Sequence, residues 1–350
     1  MTSIAIFRLP YKHHSTLMAQ HDSEPEVLSS VAQLNGKEGF VIAPFVPSAE
    51  CPVLLMHPDE VRHLPIRNVD VPAMVGGMDD GDAKAMYAAD FDCFRGQLQA
   101  GVFRKIVLAR CARVEGMPVR AAEDLFMRAC QLYPRLFVAL VSTPLSGTWL
   151  MATPEVLLRG NGDVYETMSL AGTQRAQPSR RVADYPVEGV EWSEKNREEQ
   201  QYVTSYIEDI VRSFSSDYSQ KGPYTTMAAN LYHLRTDFRF RLRDTGCLGD
   251  VLDRLFPTPA VCGIPKDEAR RFILEHEHTP RRYYSGFVGP LSPSGQTQLF
   301  VSLRCMNIHA DGVCDLYAGG GLLKESEMEA EWAETEAKME TIYKVLNVEC

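Results

Sequence analysis

The sequence predicts a single α+β domain. Strand-like segments rich in β-branched residues are joined mostly by short hairpin turns, which makes the sheets largely antiparallel. Segments with helical periodicity interrupt the strand groups. No low-complexity stretch, strong linker or short repeat divides the 350 residues, so one large domain over 1–350 fits better than two.

Hydrophobic content of 45% and charged content of 23% are those of a globular protein. A net charge of −10 excludes a general attraction for nucleic acid or an anionic membrane surface. An anionic substrate would therefore need local cations or a metal to hold it. The nine cysteines contain no CxxC pair, which argues against a zinc site or a thioredoxin-type motif. Reduced thiols are the simplest account, and a cytoplasmic location is expected. The apolar run in MTSIAIFRLPYKHH is too short for a signal peptide or a membrane span.

In chain order, residues 1–100 carry little visible chemistry. Phe40–Phe45 and Val53–Met56 read as strands and Asp82–Ala100 as a helix. His13, His14, His57 and His63 lack ligand spacing and read as surface residues. Lys105–Arg110 is a strand with two apolar faces, and Lys105 shares a face with Val107 and Ala109. A lysine there either snorkels from the strand end or is desolvated and able to act as a base. A helix at Ala121–Tyr133 precedes strands at Leu136–Ser142 and Thr148–Met151. Asn161-Gly162 marks a hairpin between Val156–Arg159 and Val164–Leu170. Glu155, after Pro154, reads as a solvated strand end. Ala171-Gly172-Thr173 reads as the loop ending the second strand, small enough for a ligand to approach.

Ser193 is the expected N-cap of a helix reaching Phe214. Glu199 lies on that helix's apolar stripe with Val203, Ile207 and Ile210, a costly place for a carboxylate without a partner or metal. Tyr224–Leu242 is strand-rich and holds His233. A short helix at Leu248–Leu255 leads into FPTPAV, where the prolines enforce extended backbone, and Pro265 suits a helix start. Strands follow at Arg282–Val288, Gln296–Ile308 and Val313–Tyr317. Gly319-Gly320-Gly321 reads as a tight turn, or as backbone N–H groups open to an anion at a helix start. It is not a P-loop, because GxxxxGK[ST] is absent. In the last helix Met328, Trp332, Thr335, Met339, Ile342 and Leu346 form the core stripe. Glu331, Glu334 and Lys338 form a second stripe about 80° away, at the border of core and solvent. Glu334 and Lys338 could be an ordinary i,i+4 surface pair.

Together, KIVLAR, ATPE, LAGTQR, SEKNREEQQYV, LYHL, FPTPAV, YYSG, SLRC, YAGGGL and EAEWAETEAK resemble, in order, the motifs of the chorismate-utilising enzymes. The resemblance spans about Arg104 to Leu346 and more loosely the N-terminal part, with residues 101–348 as the catalytic core. It implies two large packed antiparallel sheets flanked by helices and a Mg²⁺-dependent site. It also implies a role for each matching residue: Lys105 as base and Glu155 as acid. Glu199 and Glu334 are implied as metal ligands, with Glu331 acting through water. Arg304, Tyr284, Lys338 and the backbone of Gly319 and Gly321 are implied to meet the carboxylates of chorismate. Gly172, Thr173, His233 and Ala260 line the rest.

The expected chemistry moves a hydroxyl from C4 to C2 of chorismate. It needs a neutral lysine and a protonated glutamate together, and burial pushes both groups in those directions. Lys105 points to water as nucleophile, because the ammonia-using branch of the family generally lacks a lysine there. No glutamine amidotransferase subunit is then expected, and a monomer is the default. Ala260 favours stopping at isochorismate over continuing to salicylate and pyruvate; a catalytically inactive binding protein is the reading from another class. Isochorismate feeds menaquinone, catechol siderophores and salicylate. Gly320 departs from the usual AGAG pattern by adding a third glycine.

Overall fold

The computed structural model describes residues 2–72, 82–116, 122–176 and 186–347. The chain begins with β1 (Ser3–Arg8), β2 (His14–Gln20), β3 (Glu26–Leu28), β4 (Gly39–Ala43), β5 (Val53–Met56) and β6 (Glu60–Pro65). Helix α1 (Ala83–Gln99), β7 (Lys105–Val114), α2 (Ala122–Leu132), β8 (Phe137–Thr143) and β9 (Gly147–Thr153) follow. The middle comprises β10 (Val156–Asn161), β11 (Val164–Arg175), α3 (Glu194–Phe214), β12 (Tyr218–Ala228) and β13 (Leu231–Arg241). Then come α4 (Leu248–Leu255), β14 (Gly263–Ile264) and α5 (Lys266–His276). The chain closes with β15 (Phe287–Leu291), β16 (Gln296–Val301), β17 (Cys305–Ile308), β18 (Cys314–Leu322) and α6 (Met328–Leu346).

The strands form two nine-stranded sheets, ordered β14-β7-β18-β17-β9-β8-β1-β2-β6 and β12-β13-β11-β10-β16-β15-β4-β5-β3. Hairpin connections make the described pairs antiparallel. Strands from residues 1–100 enter both sheets, so that segment is woven into the same body as the rest. The inner faces meet in a core where Phe137 of one sheet stacks on Phe300 of the other at 4.1 Å. Helices cover the outer faces: α2 and α6 against the first sheet, α3 and α4 against the second. Helix α3 begins as its sequence requires, with the Ser193 hydroxyl accepting from the Asn196 N–H at 3.2 Å.

Five local expectations are corrected. Gly319-Gly320-Gly321 is not a turn: β18 continues through it, paired to Ala109, Leu108 and Val107 of β7. Glycine is needed there for close approach, as shown below. The strand expected at Gln296–Ile308 is two strands in different sheets, β16 and β17. The chain crosses from one sheet to the other at residues 302–304, with Arg304 at φ 47°. The strand expected from Arg282 starts only at Phe287, since Arg282 and Ser285 hold φ of 50° and 59° in turns. Strand β11 does not end at Ala171-Gly172-Thr173. It bulges there, with Gly172 at φ 68°, and resumes pairing to Arg175. The hairpin loop after β10 is Gly162-Asp163, one residue later than expected. Ala121, the expected start of α2, lies outside the described residues.

Candidate active site

Strands β7 and β18 of one sheet, β11 and β13 of the other, and the crossover at Arg304 wall a cleft. Of the fourteen expected site residues, eleven line it: Glu155, Gly172, Thr173, Glu199, His233, Ala260, Tyr284, Arg304, Gly319, Gly321 and Lys338. Lys105, Glu331 and Glu334 do not line it, but each is one contact from this group or its carboxylates, as follows.

Lys105 points into the molecule and is 0% exposed, so it does not snorkel. Its Nζ lies 3.0 Å from Glu199 Oε1 and forms no well-aligned hydrogen bond. The Gly172 N–H, exposed by the bulge in β11, donates to the other oxygen of Glu199 at 3.2 Å. Burial alone would raise the Glu199 carboxyl; Lys105, Lys338 and Lys195 outweigh it and hold the group below the usual carboxylate range. Glu155 is not a solvated strand end. It is 2% exposed, and its carbonyl accepts the Val301 N–H at 3.0 Å, which ties β10 to β16. Burial pushes its carboxyl up to about 8, against the weaker pull of Lys105 and Lys338. At neutral pH Glu155 is mostly a neutral acid.

Arg304 is 6% exposed and forms no ion pair among the described residues. It donates to the Ala228 carbonyl at 2.8 Å and to His233 Nε2 at 2.9 Å. An arginine can only donate, so His233 Nε2 is the acceptor and Nδ1–H donates to the Gly172 carbonyl at 3.0 Å. Burial first, then Arg304 and Lys338, lower the His233 pKa, so the ring is neutral. Burial brings Arg304 down to about 10, still a cation at neutral pH. The crossover thus aims a buried positive charge without a counter-ion into the cleft. Buried Tyr284 stacks on Tyr317 at 5.4 Å between ring centroids, and burial raises its phenol above the ordinary range.

The three glycines explain how the acidic helix reaches this cleft. A Cβ on Gly321 would sit 2.1 Å from Glu199 Oε1 and 2.7 Å from Lys105 Cε. One on Gly319 would sit 2.8 Å from the Tyr284 hydroxyl and 2.9 Å from the Leu108 carbonyl. One on Gly320 would meet Glu331 Oε2 at 3.1 Å and Glu334 Oε1 at 3.7 Å. The bare strand is what lets functional side chains close on it from both faces.

On α6, Lys338 Nζ donates to Glu334 Oε1 and to the Gly319 carbonyl, both at 2.7 Å. The i,i+4 pair exists, yet it stands in the cleft wall instead of on the surface. Glu331 is 2% exposed, deeper than its border position on the helix suggested, and Lys195 of α3 pairs with it. Burial and then Glu334 raise the Glu331 carboxyl, and Lys195 opposes them.

Sequence reasoning passed over Lys195, although a lysine in the first turn of a helix opposes the macrodipole and is a usable signal. It also missed the buried Glu277–Arg281 pair. Arg281 donates to Glu277, to the Val261 carbonyl at 2.6 Å and to the Val107 carbonyl at 2.8 Å, while Glu277 Oε2 accepts the Ala109 N–H at 2.8 Å. Val107 and Val261 line the cleft, so this pair fixes two of its walls. The i,i+4 spacing was legible; its burial was not.

As placed, the described His, Cys, Asp and Glu residues include no group of three converging to hold a metal ion. The donor set of Glu199, Glu331 and Glu334 is nevertheless all carboxylate oxygen, the type that suits Mg²⁺. Glu331 and Glu334 also converge on the space that a Cβ at Gly320 would fill. These residues fit the cation chemically.

Comparison with known proteins bears on the family and the fold. The chorismate binding enzyme family matches residues 79–347. Isochorismate synthase EntC of Escherichia coli (strain K12) is 31% identical over 203 residues, covering 58% of this chain and 52% of that enzyme. Isochorismate synthase MenF of the same organism is 31% identical over 256 residues, covering 71% of this chain and 57% of that enzyme. The matched part of this chain therefore spans little more than half the length of these relatives. A crystal structure of a putative 2,3-dihydroxybenzoate-specific isochorismate synthase, DhbC from Bacillus anthracis, superposes with a TM-score of 0.84 over 98% of this chain and 96% of that one. At 22% identity it shows a shared fold. With the family match covering most of the chain, the protein belongs to the chorismate binding enzymes.

Proposed function

We propose that the protein converts chorismate to isochorismate reversibly, as an isomerase acting on its own without an amidotransferase subunit. The observation that carries this reading is Glu155, a buried carboxyl raised to about 8 in the wall of a cleft and within electrostatic reach of Lys105. A neutral carboxylic acid at neutral pH can protonate the departing C4 hydroxyl, and Lys105, in its deprotonated form and not as the cation paired with Glu199, takes the proton from the water that attacks C2. Each such group contributes roughly 10²–10⁴-fold in rate. Arg304 and Lys338 supply fixed positive charge for the carboxylates of the substrate, and neutral His233 holds the Arg304 guanidinium in place. Val107, Val261, Leu303 and Tyr317 line the rest of the cleft and limit entry of bulk water beyond the attacking one. Glu199 and Glu334, with Glu331 behind them, are the residues that would hold Mg²⁺, whose contribution is to balance the charge of a substrate carboxylate. Ala260 in the wall supports release at isochorismate.

The test is to incubate the protein with chorismate with and without Mg²⁺ and separate the products. Isochorismate alone supports the reading. Salicylate with pyruvate would replace it by the longer reaction, and binding without turnover would leave a chorismate-binding protein. Lys105→Ala with undiminished turnover would sink the assignment of the base.

A further inference from the structure

Each carboxylate expected to hold the cation is held here by its own lysine. Lys105 holds Glu199 at 3.0 Å, Lys338 holds Glu334 at 2.7 Å, and Lys195 holds Glu331. Lys105 and Lys338 have places in the substrate chemistry. Lys195 does not line the cleft and has none.

Its position needs a reason. Lys195 is the second residue of α3, where a cation meets the positive end of the helix dipole. It lies one turn before Glu199 on the same face of α3, as Glu331 lies one turn before Glu334 on α6. The Lys195–Glu331 pair therefore crosses between the two helices one turn away from the two expected ligands. All three carboxylates act on its ammonium. Glu331 is almost wholly buried and would stand next to Glu334 with no counter-ion if Lys195 were absent.

We propose that Lys195 is a positioning residue, a built-in counter-ion that keeps the acidic cluster folded and spaced without metal and thereby limits how tightly it binds a divalent cation. This rests on the reading that the cluster holds Mg²⁺. Removing a positive charge beside the site, and leaving a buried carboxylate unpaired, both favour an added cation. A stabilising lysine and a tight metal site are thus alternatives at this position.

The experiment follows thermal unfolding and calorimetric binding of wild type, Lys195→Met, Lys195→Gln and Lys195→Arg during titration with MgCl₂. Choline chloride at matched ionic strength is the control. The neutral variants are expected to unfold at lower temperature without metal and to bind Mg²⁺ on the order of tenfold more tightly. Mg²⁺ should restore their melting temperature towards wild type. Lys195→Arg should behave as wild type. If Lys195→Met folds only with Mg²⁺, that too supports the inference, and Lys195→Gln supplies the metal-free comparison. Unchanged or weaker Mg²⁺ binding in the neutral variants overturns it, as does metal-free stability equal to wild type. If wild type itself shows no binding of Mg²⁺, the metal reading falls and takes this inference with it. Wild type that binds Mg²⁺, with neutral variants that bind it no tighter, removes only the role of Lys195.

Discussion

Alanine placed in turn at Gly319, Gly320 and Gly321 should separate three consequences in one strand. At Gly321 the new Cβ would stand 2.1 Å from Glu199 Oε1. Ordinary contact begins at roughly 3.4 Å, so Glu199 must retreat by roughly 1.3 Å. That movement breaks both its 3.0 Å approach to Lys105 and its 3.2 Å bond from the Gly172 N–H. A misplacement of about 1 Å costs about 10²-fold in turnover, which is about 2.7 kcal/mol in the barrier. Stability should fall by only about 1–3 kcal/mol, the usual range for overpacking. At Gly319 the obstacle includes backbone, the Leu108 carbonyl at 2.9 Å. Relief there must strain the β7–β18 ladder, so stability should fall at least as far, with a smaller loss of turnover than at Gly321. At Gly320 the nearest atom is the far end of Glu331 at 3.1 Å. A side chain can give a few tenths of an ångström, and alanine is intrinsically better than glycine in a strand by about 0.5–1 kcal/mol. The net change there should be under about 1 kcal/mol. Chorismate turnover by product chromatography and urea unfolding measure the two axes. Gly321→Ala with turnover within about threefold of wild type, or Gly320→Ala as the most damaging of the three, would refute the close-approach argument.

Three further outcomes follow from the same geometry. The Glu155 carboxyl sits at about 8 in the folded protein, against roughly 4.3 unfolded, so the folded state keeps a proton that the unfolded state loses between those values. Stability should fall as pH rises through that window and level off above it, by an amount on the order of a few kcal/mol. Glu155→Gln should remove that slope in urea unfolding at pH 5, 7 and 9 while lowering turnover about 10²–10⁴-fold; wild-type turnover should itself decline above pH about 8. Arg304→Met removes a buried cation that has no ion-pair partner among the described residues but leaves the Ala228 carbonyl and His233 Nε2 without their donor, so the free protein should lose about 1–3 kcal/mol, while KM for chorismate rises about 10–100-fold. Equal KM in steady-state kinetics would take Arg304 out of substrate binding. Arg281→Met leaves Glu277 buried without its partner and should cost about 3–5 kcal/mol. Adding Glu277→Leu should recover only part of that loss in denaturant melts, since it removes the stranded charge but leaves the Ala109 N–H and the Val107 and Val261 carbonyls without these partners.

Periodicity and hairpin signals were enough to define most helices and the antiparallel character of the sheets, because those features depend on neighbours close in sequence. Helix α4 and the Ser193 cap of α3 were legible in this way. The burial of the strand carrying Lys105 was legible too, but whether the lysine itself snorkelled or stayed buried was not. The candidate residues were legible as blocks of sequence in a fixed order, though their burial and partners were not. What separates Gln296–Ile308 into strands of two sheets is a φ of 47° at Arg304, stabilised by contacts to Ala228 and His233 far away in the chain. A glycine run reads locally as a turn, yet here it is a strand stripped of side chains so that Glu199, Lys105, Tyr284 and Glu331 can approach it. Whether Glu155 is a solvated end or a raised acid depends on desolvation by distant residues, and the same holds for which lysine meets which carboxylate. Those are properties of distances across the fold. The sequence by itself determined the elements and the chemical types available at the site. Only the tertiary structure decided their burial, pairing and charge, because those depend on what the two sheets and helices α3 and α6 bring within a few ångströms.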